Sequence, residues 1–408
     1  MFKLNNKQIE SDTGFSVPAI GCYLIPLLYF LGTVIYLIKR FGKMYVSGYY
    51  LIHYLYTHDH GYISRGFIGE VLSWFFDTLN DEQLANINIF FNVCLALSCS
   101  LFVGKALASV RKDKYLFSII CFIVLVFFVF AAPVRFYCDD VKLDKNLWTL
   151  AFIAVILAQN RFGIYLVPAI CMIATMINPV FLFCSMILIS IILLQEFYSN
   201  KYSLKNGLIC AISYISMIAL GVYATISEKL VNFSTPSELI DFYFSRYSGV
   251  LDENMYRLFE NEWLFNYFDP WNVILRKSYE IYFVDWNNGL YTAIHFLLIA
   301  LPAYIILTLF WKKTIQFEEN KFQKFIFFLC AVTPAVAIPP VILSWEFSKY
   351  FYNTIFTEVG LIIYYVVNKS PALLCTIKEF ELYFKKHFFQ SLMIVFYFIL
   401  FIAIFSII

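Results

Sequence analysis

Charge is scarce in this sequence: Asp, Glu, Lys and Arg together make up 14% of its 408 residues, against 61% hydrophobic residues. Ordinary soluble domains run at about 25% and 45–50%, so the chain holds more apolar surface than one aqueous core could bury. An all-α, polytopic membrane bundle is expected, because only helices and closed barrels satisfy their backbone polar groups in lipid. Excess charge of one sign is also missing. A formal net charge of +2 leaves no basic face to neutralise a phosphate backbone, which argues against a nucleic-acid partner.

The short motifs of several common chemistries are absent. There is no Gly-x-Ser-x-Gly elbow, no His-Glu-x-x-His, no Walker loop with its lysine and no Gly-x-Gly-x-x-Gly after a strand. A nucleotide-hydrolysing pump is therefore not expected. The ten cysteines contain no Cys-x-x-Cys and no zinc-like spacing. Only Cys138 falls in a predicted outer segment, so the thiols are expected to act as small apolar residues. Linker-like composition and internal repeats are lacking too, which leaves residues 1–408 as one integral-membrane domain. The polar start MFKLNNKQIESDTGFSV does not resemble a cleaved signal, so the first apolar segment is expected to stay as an anchor.

What is present is a series of apolar runs. A helix needs about 20 such residues to cross the hydrocarbon, and fewer inside a bundle, which gives about eleven spans. They fall at 18–38, 87–109, 115–134, 143–159, 162–177, 179–195, 206–226, 288–311, 323–345, 352–368 and 389–408. Asn178-Pro179 interrupts an otherwise continuous run, and proline disfavours helix before it, so a break is expected there. With the N-terminus inside, the short inner connections carry Arg111, Lys112, Lys114, Arg161, Lys312 and Lys313, and the short outer ones carry fewer cations. That follows the positive-inside rule; Lys39, Arg40 and Lys43, just after the first span, go against it.

Two long segments, 39–86 and 227–287, then fall on the outer face, where most of the acidic residues collect. Long loops inside a compact protein are commonly functional. Three groups of residues carry candidate chemistry there. In THDHGYISRGFIGE (57–70), Asp59 stands between His58 and His60, with Arg65 as a fork for phosphate and glycines that permit close backbone approach. An isolated His-x-His does not specify zinc. In VRFYCDDVKLDKN (134–146), Asp139 and Asp140 with Arg135 and Lys142 are a candidate holder of Mg²⁺ or Mn²⁺ against a diphosphate. The third group takes Arg246, Arg257 and Arg276 from the large segment, with Glu346 and Lys349 from SWEFSKY, to bind phosphate and sugar. Each group has a bland alternative, namely a hydrated turn, a salt-bridged loop and ordinary aromatic packing. His295 and Glu358 lie inside predicted spans.

This layout resembles bacterial membrane enzymes that assemble surface polysaccharides from polyprenyl-linked sugars: glycosyltransferases of the GT-C fold and O-antigen polymerases. In GT-C enzymes a long first outer loop carries a catalytic acid, and Asp59 occupies a comparable place, with Asp139 and Asp140 in a later outer loop. The resemblance implies general-base activation of an acceptor hydroxyl while a lipid phosphate leaves. It also implies an inner-membrane protein with periplasmic long loops, working on a polyprenyl-linked glycan in the bilayer beside other polysaccharide-assembly proteins. Arg246, Arg257 and Arg276 sit in a large loop as in the polymerases, but none is followed by glycine eleven positions on. A lipid-linked oligosaccharide flippase or other transporter is the alternative from another class, and a noncatalytic scaffold a third. Transport would favour polar residues lining the spans.

Overall fold

A computed structural model describes residues 15–41, 48–59, 65–130, 143–183, 185–199, 203–227, 236–249, 296–338 and 347–389, with isolated positions between 276 and 294 and between 391 and 396. The expected span at 389–408 lies almost wholly outside the described residues.

Regular structure among the described residues is helical throughout. In chain order the α-helices are α1 (Ala19–Phe41), α2 (Gly48–Leu55), α3 (Phe67–Ser73), α4 (Asp81–Val110), α5 (Lys114–Phe130), α6 (Asp144–Ala158) and α7 (Val167–Ile177). They continue with α8 (Met186–Tyr198), α9 (Leu204–Ser227), α10 (Pro236–Phe244), α11 (Leu301–Phe317), α12 (Lys321–Ala331), α13 (Phe347–Val367) and α14 (Pro371–Lys386). The all-α expectation holds.

The span count differs from the sequence reading. Among the described residues three helices are long and apolar enough to cross a membrane: Ala19–Tyr36 within α1, Asp81–Val110, and Phe296–Phe317, which contains α11. A fourth is added if α13 and α14, bent by 109°, count as one span. That is far fewer than the eleven expected. The reason is local: several apolar runs do not form one uninterrupted helix. Residues 162–177 fold as a 3₁₀ turn, Gly163–Leu166, followed by α7, whose 11 residues extend only about 17 Å at 1.5 Å each. Residues 179–195 likewise begin with a 3₁₀ turn, Pro179–Leu182, before α8. The break at Asn178 is present as expected. Asn178 is extended, at φ −160° and ψ 119°, and its side chain accepts from the Val180 N–H at 3.1 Å.

Helix α4 starts at a capping box: Asn80 and Gln83 each accept the other's backbone N–H at 2.9 Å. Asp81 and Glu82 follow in the first turn, where acidic side chains favour the helix dipole. At the far end of α1, Lys39 and Arg40 occupy the last helical turn, which suits cations by the same dipole. Helices α1 and α4 run antiparallel, since Val17 N–H reaches the Arg111 carbonyl at 3.3 Å. Around them one continuous apolar core extends from Cys22 to Leu373.

Helix α6 lies deepest, packed by α4, α7 and α8. Trp148 and Phe152 stack into its surroundings, with Phe356 of α13 edge-on to Trp148 at 4.5 Å between ring centroids. Sequence reasoning placed the charges at the start of this helix at an outer mouth. Instead Asp144, Lys145 and Asn146 are all buried. Asp144 accepts from Asn178 Nδ2 at 3.1 Å. The Lys145 ammonium donates to Asn88 Oδ1 and, at 3.0 Å, to Asn92 Oδ1. Trp148 Nε1 donates to Asn353 Oδ1 at 2.9 Å. Loss of a net hydrogen bond costs about 0.5–1.5 kcal/mol and a stranded buried acceptor about 1–3. Trp148→Phe, which keeps most of the packing and removes the indole donor to Asn353, is therefore expected to lower the thermal midpoint of the detergent-solubilised protein.

Candidate functional site

The two long segments meet at the end of the bundle where α4 and α6 start and α7 ends. Leu79 and Tyr247 form an isolated parallel bridge. Leu79 N–H donates to the Arg246 carbonyl at 2.8 Å, and Ser248 N–H to the Leu79 carbonyl at 2.9 Å. The Tyr247 hydroxyl donates to Asp81, next to the α4 cap. Backbone pairing of this kind fixes residue 246 against the first segment, although the two are more than 160 residues apart in sequence.

Around that seam the island 57–70 acquires partners. Thr57 donates its hydroxyl to Asp59 Oδ2 at 2.6 Å, which orients the carboxylate. The His58 backbone N–H donates to Glu70 Oε2 at 2.9 Å, while the imidazole Nδ1 lies 4.0 Å from the same oxygen. From α10, the Tyr243 hydroxyl donates to the Thr57 carbonyl at 3.2 Å, and its ring meets Tyr56 edge-on at 4.8 Å. Arg246 Nη1 donates to the Leu55 carbonyl, the last residue of α2, at 2.6 Å. A helix C-terminus has unsatisfied carbonyls and a negative dipole end, so a guanidinium belongs there.

Electrostatics tie the same residues together. Burial pulls the Arg246 guanidinium below its ordinary value, and the charges of Asp59 and then Glu70 oppose that pull. Burial likewise raises the Tyr243 phenol, helped by Tyr56 and Asp59. The result is one half-buried arginine near two carboxylates, with hydroxyl donors on either side. Such an arrangement can hold an anionic phosphate at the arginine while a neighbouring carboxylate accepts a proton.

Backbone geometry shows how closely α3 and its entry are packed. Arg65 stands in the left-handed region at φ 68°, directly before α3. That conformation costs a non-glycine residue roughly 1–2 kcal/mol. Strain of this kind concentrates at ligand-holding turns. Four residues on, Gly69 lies against the main chain of Tyr56: a Cβ there would stand 2.9 Å from both the carbonyl carbon and the amide nitrogen of Tyr56. Backbone cannot move aside as a side-chain tip can. Gly69→Ala is expected to push α3 off α2, to cost about 1–3 kcal/mol, and to show as a lower thermal midpoint together with loss of the site's activity.

Of the residues proposed from sequence, Asp59, His58 and Arg246 are brought together, and Arg65 stands at the entry to α3. Arg276 is not brought there; its Nε pairs with Glu280 Oε1 at 2.8 Å in an exposed i,i+4 contact on its own helical turn. His60, Arg135, Asp139, Asp140, Lys142, Arg257 and Glu346 lie outside the described residues, as does the side chain of Lys349. Among the described residues no three His, Cys, Asp or Glu side chains gather to hold a metal ion. Sequence reasoning did not assign roles to Glu70, Tyr243 and Thr57. Glu70 and Thr57 bound the quoted island, so the signal was present at its two ends; nothing local marks Tyr243.

Comparison of the chain with family models, curated proteins and solved structures finds no match.

Proposed function

We propose that this protein transfers a glycosyl unit from a polyprenyl phosphate or diphosphate, as a polymerase or GT-C-type transferase of surface-polysaccharide assembly. The observation that carries the reading is the convergence of Asp59, Glu70 and Arg246 where the two long segments pair. Arg246, with Arg65, holds the phosphate of the donor lipid. Asp59 takes the proton from the acceptor hydroxyl as its oxygen bonds to the anomeric carbon, and the lipid phosphate departs with the electron pair of the bond that breaks. Activation resides in the leaving group, so no nucleotide is required. Asp139 and Asp140 remain the pair for a divalent cation.

The same reading takes α5 to α8 as short crossing helices, and α9 as a full-length one, within a bundle of about eleven spans. It places the cation-rich end, with Arg111, Lys114, Lys313, Lys321 and Lys378, in the cytoplasm of the inner membrane, following the positive-inside rule. The site then faces the periplasm. What supports that orientation is the clustering of these cations at the end of the bundle opposite Asp59, where Lys313 pairs with Glu379 at 2.8 Å.

The test uses purified full-length protein in liposomes with a polyprenyl-diphosphate sugar. Arg246→Ala should raise the apparent KM for the lipid donor by tenfold or more, corresponding to about 1.4 kcal/mol of lost phosphate binding. An unchanged KM removes Arg246 from the site, and no transfer by the wild type with any polyprenyl-linked sugar removes the reading. A second reading, transport of a lipid-linked glycan, is favoured by one observation: Lys145, Glu196 and Glu358 are wholly buried within helices. Sequence reasoning took charges inside the bundle to be few.

A further inference from the structure

Helix α13 carries a buried polar face. Asn353, Thr354, Thr357 and Glu358 are all shielded from solvent, and their i,i+4 spacing sets Thr354 above Glu358. Asn353 receives the Trp148 indole from α6. The Thr354 hydroxyl lies 2.6 Å from the Tyr304 hydroxyl of α11. About 7.5 Å separates Asn353 from Glu358 along the axis, so this buried polar face runs from the Trp148 contact near the α6 start to the middle of α13.

Glu358 itself is fully enclosed. Oε2 accepts the Trp311 indole N–H at 3.2 Å, and Oε1 has no hydrogen-bond partner among the described residues. The titratable groups that face it are the Tyr304 phenol from α11 and the Cys330 thiol from α12. Glu196 of α8 is engaged further along α13 by the Tyr364 hydroxyl at 2.7 Å. Among the described residues no ion pair reaches Glu358 from the helices packed on it, and the Trp311 indole is its hydrogen-bond donor. A carboxylate in that place would be an uncompensated charge with an empty lone-pair site, whereas a carboxylic acid is neutral.

We propose that Glu358 is a proton-binding site inside the helix bundle, loaded and unloaded through the hydroxyls and amides that line α13 toward Asn353. Ionisable groups enclosed within apolar helix bundles mark proton relays. The site lies apart from Asp59 and Arg246 and stands whether or not glycosyl transfer occurs there. It belongs with the energy source that a chain lacking nucleotide motifs needs for any uphill step.

The experiment is infrared difference spectroscopy of the full-length protein in liposomes of phosphatidylethanolamine and phosphatidylglycerol, wild type minus Glu358→Gln, in H₂O and after transfer to D₂O at neutral pH. A carboxylic-acid C=O band present in the wild type, lost in the variant and shifted to lower frequency in D₂O is the expected result. Thr354→Val should slow that shift while leaving the band in place. If Glu358→Gln does not fold, ¹³C-glutamate labelling of the wild type assigns the band, and Glu358→Asp removes it from the labelled set. The absence of a Glu358 acid band would show an ionised side chain and overturn the proposal. A band that does not shift in D₂O would show a locked structural proton and overturn it equally.

Discussion

Asp59→Asn is expected to reduce glycosyl transfer by about 10²- to 10⁴-fold, the range that a positioned general base contributes, while the protein stays in the membrane with an unchanged thermal midpoint. The asparagine keeps the shape of the side chain and can still accept the Thr57 hydroxyl that now meets Oδ2 at 2.6 Å. What it loses is the capacity to take a proton. The measurement is the rate of product formation from a polyprenyl-linked sugar in liposomes, checked in cells by the surface-glycan profile. Glu70→Gln separates base from scaffold. Glu70 Oε2 accepts the His58 backbone N–H at 2.9 Å, a bond that the glutamine oxygen keeps only in its weaker neutral form, so the substitution should fall more on stability than on rate. Wild-type transfer by Asp59→Asn would remove the catalytic assignment and leave the island as a folded turn.

The approach of Arg246 to the Asp59 charge also shows where sequence reasoning stops. Composition and run length were enough for an all-α, apolar chain, and the interruption at Asn178-Pro179 appears where the proline demands it. The two long segments stood out because they are polar and aromatic amid apolar runs. Their meeting did not, because the Leu79–Tyr247 bridge uses backbone groups, which carry no residue-type signal. Arginines in the large segment looked equivalent by type, and only this bridge distinguishes Arg246, anchored on Leu55, from Arg276, occupied by Glu280. Span counting failed for a related reason. Hydropathy sums over a window and does not register a 3₁₀ turn such as Gly163–Leu166 that divides an apolar run. Charges at the start of α6 were read as a mouth, since a lysine beside an aspartate ordinarily faces water. The asparagines that receive Lys145 are one turn apart on α4 and contribute nothing to a hydropathy minimum.

That buried start of α6 gives the other large effect. Lys145→Ala should destabilise the protein by about 3–5 kcal/mol, as expected when one member of a buried charged network is removed, and the thermal midpoint in detergent is the measurement. The truncation removes the ammonium donor from the Asn88 and Asn92 oxygens and leaves Asp144, held by Asn178, beside an emptied volume. Stability alone does not explain why evolution would keep a lysine here, because a well-packed apolar replacement of a buried ionic cluster is often neutral or stabilising. The informative variant therefore changes the cluster as a whole: Lys145→Met with Asn88→Leu and Asn92→Leu. If the cluster serves only to pack α6 against α4, the triple variant recovers most of the lost midpoint and retains activity. If the cluster belongs to the working end of the bundle, the triple variant folds and fails. Asn88 lies about 10 Å deeper along α4 than Asp81, whose carboxylate receives Tyr247 at the seam. That places the lysine one layer beneath Arg246 and Asp59, and the expected outcome is a stable protein without transfer activity.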